Sequence, residues 1–540
     1  MLCSSITQGR GGDNLTNKKV IVIGLDGGTW NIIKPLIKTG KLPTIAKLMK
    51  NGCYGNLESS IPPITFPAWK CYSTGKNPGK LGVYHFCNVD IKKRKVIMNS
   101  SLSFKSKELW DYLSENNISC GVLDMPTTYP PKEINGFMVS HNPLSSDFTY
   151  PKNLADELIE KLGYKPIPDY FSVVEDKDLI IASNKEIIKQ RFDTAKYLLS
   201  IFNPQFFHIT IFHIDTIQHY FWKDMEENNP KYGKVIEEFW ITIDNGIKSL
   251  LDDFCDERTY VFLMSDHGFT SLKSEFNIAQ WLISKKYLFL TRKSIIFDIL
   301  SKLGISSDKI LSVIIKLKIY SLLRRIVPLS LQQKIGDSIP GKKGKITDVG
   351  METLIDWKRS KVIPICGIYI NTNIIPQNSE DYEKLRDRLI TEMENITSPT
   401  GDRAFIRIYK REEVYNGEFV DSAPDIVTLN NCFLTTNLSA EMWDVSRSRW
   451  SGDHELNGIF LAYGPNIKKG CEIQGARIYD IAPTILHIFG IPIPKDMDGK
   501  VLKEIFEEDS KILKKEITYQ ENEKNKIKSK IRDLKNLGKI

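Results

Sequence analysis

The sequence predicts an α/β protein with a central, mostly parallel sheet flanked by helices, and two observations predict it. Short apolar runs rich in Val, Ile and Phe recur at Val20 to Leu25, Cys120 to Leu123, Phe206 to Ile214, Tyr260 to Met264 and Gly458 to Tyr463. Each is too brief for a buried helix and reads as a parallel strand covered on both faces. Longer amphipathic segments such as Leu42 to Met49 and Asn184 to Leu199 alternate with them, the rhythm of strands joined by crossover helices.

Taken in order, residues 1–18 are polar and Gly-rich without the apolar run of a secretory signal, and read as a disordered leader. The strand and helix alternation occupies 19–280 and 356–503, the expected catalytic domain. Between them, 281–355 turns helical, basic and apolar (SIIFDILSKLGISSDKILSVIIKLKIYSLLRRIV) and reads as an inserted helical cap or subdomain. Within it, Ile295 to Val327 mixes Ile and Leu with Lys316, Lys318, Arg324 and Arg325, so it packs a core of its own or rests on a membrane surface. An irregular block runs from Pro399 to Arg449. The charged tail, 504–540, has helical spacing and is expected to lie as an amphipathic helix on the core.

With 41% hydrophobic and 26% charged residues, the 540-residue chain is neither disordered nor membrane-embedded in character. The net charge of +8 comes from scattered basic residues, which suits a small anionic substrate and argues against a dedicated binder of nucleic acid polymers. No apolar stretch reaches the ~18 residues of a spanning helix. Nine cysteines stand far apart without a CxxC pair, and read as reduced thiols of a cytoplasmic protein.

Three apolar runs lead into aspartates: KVIVIGLDGG into Asp26, FFHITIFHID into Asp215 and YVFLMSDHG into Asp266. The carboxyl ends of strands line the ligand crevice of open α/β sheets, so the three carboxylates are expected to converge. Converging carboxylates repel and call for cations. His267 follows Asp266 directly, and His219 lies four residues after Asp215, on the same face of a helix. Mixed Asp and His ligands suit zinc, with manganese or iron as alternatives. Any one of these residues alone reads as a helix cap or a satisfied core side chain; together they form the titratable cluster that marks a site.

The nucleophile candidate sits in SIPPITFPAWKCYSTGKNPG, where a Pro-rich turn leads to Thr65 as N-cap of a short helix ended by Gly75 and Pro78. Free N–H groups and the helix dipole there favour an anion such as phosphate. Lys70, one turn on, is either a cation for a spare phosphate oxygen or a solvated surface charge. His141, His208, His213 and His487 lie on or near apolar runs and read as structural.

These motifs, with GDHELNG around His454 and the closing stretch IYDIAPTILHIFGIPIPKDMDGKVL, resemble the type I phosphodiesterase/nucleotide pyrophosphatase branch of the alkaline phosphatase superfamily, in particular its prokaryotic group of predicted phosphohydrolases. The resemblance runs from about Lys19 through Gly499. It implies an alkaline phosphatase-like sheet and two divalent metal ions, one held by Asp215, His219 and His454, the other by Asp26, Asp266 and His267 with Thr65 bridging toward it. It further implies a phosphodiesterase or nucleotide pyrophosphatase acting through a phosphothreonine intermediate on Thr65. The alternatives are a phosphomonoesterase or phosphonate hydrolase on the same scaffold, or a silent anion-binding protein. No C-x-P-x-R surrounds the nucleophile, against a sulfatase, and the phosphoglycerate mutases of the superfamily use serine. Two departures stand out: Leu81-Gly82 replaces the His-Gly of better-known pyrophosphatases, and Phe86 stands where their phosphate-contacting Asn would be, leaving His85 or Asn88 to replace it.

Overall fold

Every residue from Val20 to Leu25 is buried in strand β1 (Lys19–Leu25) of the computed structural model. Val20 and Val22 join one hydrophobic cluster while Ile21, Ile23 and Leu25 join another, so the period-2 alternation of a strand places a core on each face. The structure describes residues 18–104, 106–141, 147–167, 176–291, 351–436, 441–447 and 450–521. The leader over 1–17, the greater part of the expected cap with its amphipathic stretch (292–350) and the end of the tail (522–540) lie outside the described residues.

After β1 come α1 (Trp30–Lys38), α2 (Pro43–Asn51), β2 (Cys53–Glu58) and α3 (Thr65–Thr74), then a hairpin of β3 (Cys87–Asp90) and β4 (Lys95–Met98). Strands β5 (Cys120–Met125), β6 (Gly136–Ser140) and β7 (Thr149–Tyr150) follow, then α4 (Lys177–Phe202), β8 (Phe206–Ile211), α5 (His213–Glu226), α6 (Val235–Phe254), β9 (Thr259–Met264) and β10 (Gly268–Ser271). The chain returns through β11 (Gly452–Glu455), β12 (Asn457–Tyr463), β13 (Cys471–Arg477) and α7 (Ile481–Phe489). Nine strands form one sheet in the order β13-β2-β12-β9-β1-β8-β5-β6-β7. Strands β9, β1, β8, β5 and β6 run parallel through the centre. The run at Gly458 to Tyr463, expected to be parallel, is antiparallel to both β9 and β2, because it enters from the β11 loop at the carboxyl end of the sheet.

Helix α3 begins at Thr65, not one residue later as a Thr65 N-cap requires. Ile64 is the N-cap, in extended conformation, and no side chain caps the helix, so the Thr65 hydroxyl is not engaged in capping. Gly75, at φ 67°, closes the helix in the left-handed region as expected. The helix lies against β1 so closely that a Cβ on Gly24 would stand 2.4 Å from Trp69.

A third cluster, including Phe276, Trp281, Ile363, Tyr382, Phe405 and Ile426, forms a satellite core, which also receives Cys87 and Val89 of the hairpin. The irregular block contributes to it a hairpin of Phe405–Lys410 with Ile426–Asn430. Cys87 is disulfide-bonded to Cys366, 279 residues away in sequence and 6.1 Å away between Cα atoms. That corrects the reading of all cysteines as reduced thiols: a pair closed by tertiary packing leaves no trace in sequence spacing. The described part of the tail also departs from expectation. It holds only single turns at Lys503–Ile505 and Lys511–Lys514 and a short strand, Tyr519–Gln520, paired with Ile493–Pro494. Ile505, Phe506 and Ile512 each bury into the second core cluster.

Candidate active site

The parallel strands deliver their side chains to one crevice. Asp26 follows β1 directly and Asp266 follows β9 by two residues; both are fully buried. Asp215 does not end its strand, because β8 stops at Ile211 and Asp215 falls in the first turn of α5, with His219 one turn further on. His454 arrives on β11, which pairs with β10 so that His454 faces Phe269. Gly27, at φ 69°, turns the chain after β1 and offers its N–H to Asp266 Oδ1 at 3.2 Å.

Each histidine is oriented by a backbone carbonyl. His219 Nδ1 donates to Gly452 O at 2.8 Å, His454 Nδ1 to Pro63 O at 2.9 Å and His267 Nδ1 to Gly268 O at 3.0 Å. A carbonyl only accepts, so each Nδ1 carries the proton and, in the neutral ring, each Nε2 presents a lone pair. Trp450 stacks on the His219 ring at 4.5 Å and Phe269 meets it edge-on at 4.8 Å, fixing its plane.

The three Nε2 atoms face carboxylates and one another. His219 Nε2 lies 3.1 Å from His454 Nε2; Asp215 Oδ1 lies 3.1 Å from His454 Nε2 and 3.4 Å from His219 Nε2. Ligands at about 2.0–2.1 Å from a tetrahedral zinc stand about 3.3 Å apart by that geometry, so this triangle has the right edge for one cation. A second group, Asp26, Asp266 and His267, gathers its ligand atoms within 4.8 Å. His267 Nε2 is 3.6 Å from Asp26 Oδ1 and 3.2 Å from Asp266 Oδ2. Asp266 Oδ2 is buried and accepts no hydrogen bond. The His267 and His454 rings stack 3.6 Å apart between the two groups. Facing lone pairs and an unsatisfied buried carboxylate oxygen are what bound cations relieve, and the donor set fits divalent metals. Thr65 Oγ1 stands 3.3 Å from His267 Nε2 and is 3% exposed.

Protonation answers the same crowding. Burial alone would raise the Asp215 carboxyl, yet His219 and His454 hold it well below the usual carboxylate range. Burial pushes Asp266 up to about 8. Burial also lowers His454, but Asp215 overrides this and brings it up to about 9.

All seven expected residues therefore meet. Asp453, overlooked in the sequence, lies with His219 and His454 in a further group of ligand atoms within 4.8 Å and accepts from the His454 N–H at 2.9 Å; its place immediately before His454 was the available signal. Between the two replacements for the missing Asn, Asn88 donates to Gly82 O at 2.7 Å and accepts from Asn99 at 3.2 Å. His85 Nδ1 is buried without a partner; burial and then His454 bring its ring down to about 4. Lys70, read as a phosphate cation or a surface charge, is neither: it is 1% exposed, paired with Glu108 at 2.6 Å and placed 4.5 Å from the centre of the Phe104 ring.

The model of the type I phosphodiesterase / nucleotide pyrophosphatase family matches residues 20–437. No curated protein matches in sequence. Among solved structures, the chain is similar to human ectonucleotide pyrophosphatase / phosphodiesterase 5 at 14% identity and a TM-score of 0.52, over 90% of this chain and 98% of that one. It is also similar to phosphonoacetate hydrolase from Sinorhizobium meliloti 1021, solved with phosphonoformate, at 13% identity and a TM-score of 0.53 over 86% and 94%. A variant of the alkaline phosphatase PafA aligns at 13% identity and a TM-score of 0.52 over 91% and 99%. At such identities these likenesses speak for the fold.

Proposed function

The chain belongs to the type I phosphodiesterase / nucleotide pyrophosphatase family and is a phosphoester hydrolase, and from that premise we propose that it cleaves a phosphodiester or pyrophosphate bond through Thr65 with two divalent metal ions, zinc being the best match to the donor set. Asp215, His219 and His454 would hold one ion, and Asp26, Asp266 and His267 the other. The carrying observation is the Thr65 hydroxyl 3.3 Å from His267 Nε2, uncommitted to capping and beside two ligand groups.

Bound there, the ions would lower the pKa of the Thr65 hydroxyl and draw charge from the phosphoryl oxygens. Thr65 Oγ1, its proton released to water, attacks phosphorus as the P–O bond to the leaving alcohol or phosphate breaks; water then cleaves the phosphothreonine P–O bond, which returns the Thr65 hydroxyl and frees the phosphoryl product. The first turn of α3 directs its free N–H groups at the phosphoryl group. His85 supplies a hydrogen bond from Nδ1 to a non-bridging oxygen. A diester is favoured over a monoester because the spare oxygen of a monoester dianion calls for a nearby cation, and Lys70 is committed to Glu108. The Cys87–Cys366 bond fits an oxidising compartment better than the cytoplasm expected from cysteine spacing.

The test is turnover of bis-p-nitrophenyl phosphate against p-nitrophenyl phosphate by zinc- or manganese-loaded protein, for the parent and Thr65→Ala. The diester is expected to turn over faster, with kcat falling at least about a thousandfold in the variant. Parent-like activity in Thr65→Ala removes the nucleophile assignment, and a faster monoester reverses the substrate class.

A further inference from the structure

Of the four histidines set aside as structural, two have structural duties: His208 bonds Tyr72 Oη at 3.0 Å and Thr210 Oγ1 at 2.8 Å, and His487 donates to Ile512 O at 2.8 Å. His141 bonds Asp124, but it and His213, whose Nε2 is buried without a partner, stand beside the crevice. They lie on the flank of the crevice away from β9, where the ends of β8, β5 and β6 stand side by side: Leu123 pairs with Ile209, and Met125 with Ser140. His213 follows β8 and stands two residues before Asp215, His141 follows β6, and Thr127 occupies the turn after β5.

At the centre is a buried ion pair. Asp124 accepts from Arg191 Nε at 2.5 Å and from His141 Nδ1 at 3.0 Å. Arg191 directs Nη1 and Nη2 to Lys165 O, each at 3.1 Å, and lies 4.5 Å over the Tyr164 ring. The pair is thus closed on itself and neutral in sum. Thr127 Oγ1, Tyr164 Oη and His213 Nε2 are buried with no hydrogen-bond partner, in residues 7%, 3% and 4% exposed. Unpartnered buried polar atoms are destabilising, and so is Thr127 at φ 79°, because β-branched residues avoid the left-handed region. Such strain persists where a site requires it.

We propose that Thr127, His141 and His213 form a subsite for the leaving group, and that it takes the hydroxyls of a polyol esterified to the phosphate cleaved beside Asp215. The proposal rests on the phosphodiesterase reading above. The class follows from donors and acceptors. His141 donates through Nδ1 to Asp124, which as a carboxylate only accepts, while the Thr127 hydroxyl both donates and accepts. Hydroxyls, which also do both, satisfy this mixed set. An anionic arm brings only acceptors and meets an Asp124 carboxylate whose countercharge is already supplied, and an apolar arm leaves the buried atoms unsatisfied.

Inhibition of bis-p-nitrophenyl phosphate turnover by diglyceryl phosphate, dipropyl phosphate and inorganic pyrophosphate tests it. Diglyceryl phosphate is expected to inhibit the parent at a concentration at least about tenfold below dipropyl phosphate. Thr127→Val and His141→Gln each bring that ratio to within about threefold, whereas Thr127→Ser, which keeps the hydroxyl, retains it. Equal inhibition of the parent by the glyceryl and propyl esters overturns the proposal. So does pyrophosphate as the tightest inhibitor, weakened by the same substitutions, since the cluster then serves an anion. If the parent turns over no diester at all, the phosphodiesterase reading fails by itself; calorimetric titration of the metal-loaded parent and His141→Gln proteins with the two esters still measures the subsite.

Discussion

The Trp69 indole N–H donates to Asp26 Oδ2 across 2.8 Å, so the helix that carries the nucleophile candidate also orients a metal-ligand candidate on β1. Loss of a hydrogen bond of this kind commonly weakens metal binding by about 10–100-fold. Trp69→Phe, which keeps the packing and removes only the donor, is expected to lower zinc affinity by that factor in competition with a chromophoric chelator. Gly24→Ala, whose new Cβ would stand 2.4 Å from the Trp69 ring, should do the same by displacing the indole. Two variants that hold zinc as the parent does refute the orienting role.

Metal removal is expected to destabilise the fold as well as abolish activity. Asp26 and Asp266 are fully buried and Asp215 nearly so, and without cations their charges are balanced only by protons and imidazoles. Ligand bound to the native state alone adds about 4 kcal/mol at a thousandfold excess over its dissociation constant. Dialysis against EDTA should therefore lower the melting temperature, and zinc should restore it. In Asp215→Asn the increment should shrink. A chelated protein that melts with the untreated one shows that no metal is held.

How much of this was legible beforehand depended on the range of the physics. β1 and β9 were readable because a short continuous apolar run needs no partner to be recognised, and Asp26 and Asp266 followed because strand ends face the crevice. His454 was reachable only through its motif: β11 is a short strand whose position depends on pairing with β10 across the crevice. Lys70 misled for a related reason. Its Glu108 partner is 38 residues on, and a buried lysine cannot be told from an exposed one before its counterion is placed. The second cluster was invisible for the same reason, since His141 and His213 come near each other only when β5, β6 and β8 align their ends.

Acid should loosen the fold through Asp124. Burial alone would raise this carboxyl, but Arg191, and next His141, bring it down to about 2. A carboxylate whose pKa is lower folded than unfolded contributes stability above its unfolded value, near 3.9, and loses it as pH falls through the folded one; here that is about 2–3 kcal/mol between roughly pH 4 and pH 2. Glu108, which Lys70 and Lys132 also bring down to about 2 against the effect of burial, loses its share over the same range. In urea titrations at pH 6, 4, 3 and 2.5, Asp124→Asn should be less stable at pH 6, with Arg191 left unpaired, and should show a shallower decline below pH 4. An unchanged decline assigns the acid sensitivity elsewhere.

The remaining prediction concerns the link between the hairpin and the satellite core. Six cysteines besides the bonded pair are free among the described residues, so protein purified without reductant and denatured should titrate two thiols fewer than the same protein after reduction. Cys87 lies two residues beyond His85, and its bond to Cys366 ties that turn to the satellite core. Loss of a native disulfide typically costs about 2–5 kcal/mol. Cys87→Ser combined with Cys366→Ser should therefore lower the melting temperature. Because the substitutions free the turn that carries His85, KM for bis-p-nitrophenyl phosphate should rise while Thr65 continues to turn substrate over. The same thiol count before and after reduction would return the pair to the reduced state read from the sequence, and an unaltered KM in the double variant would detach the hairpin from the site.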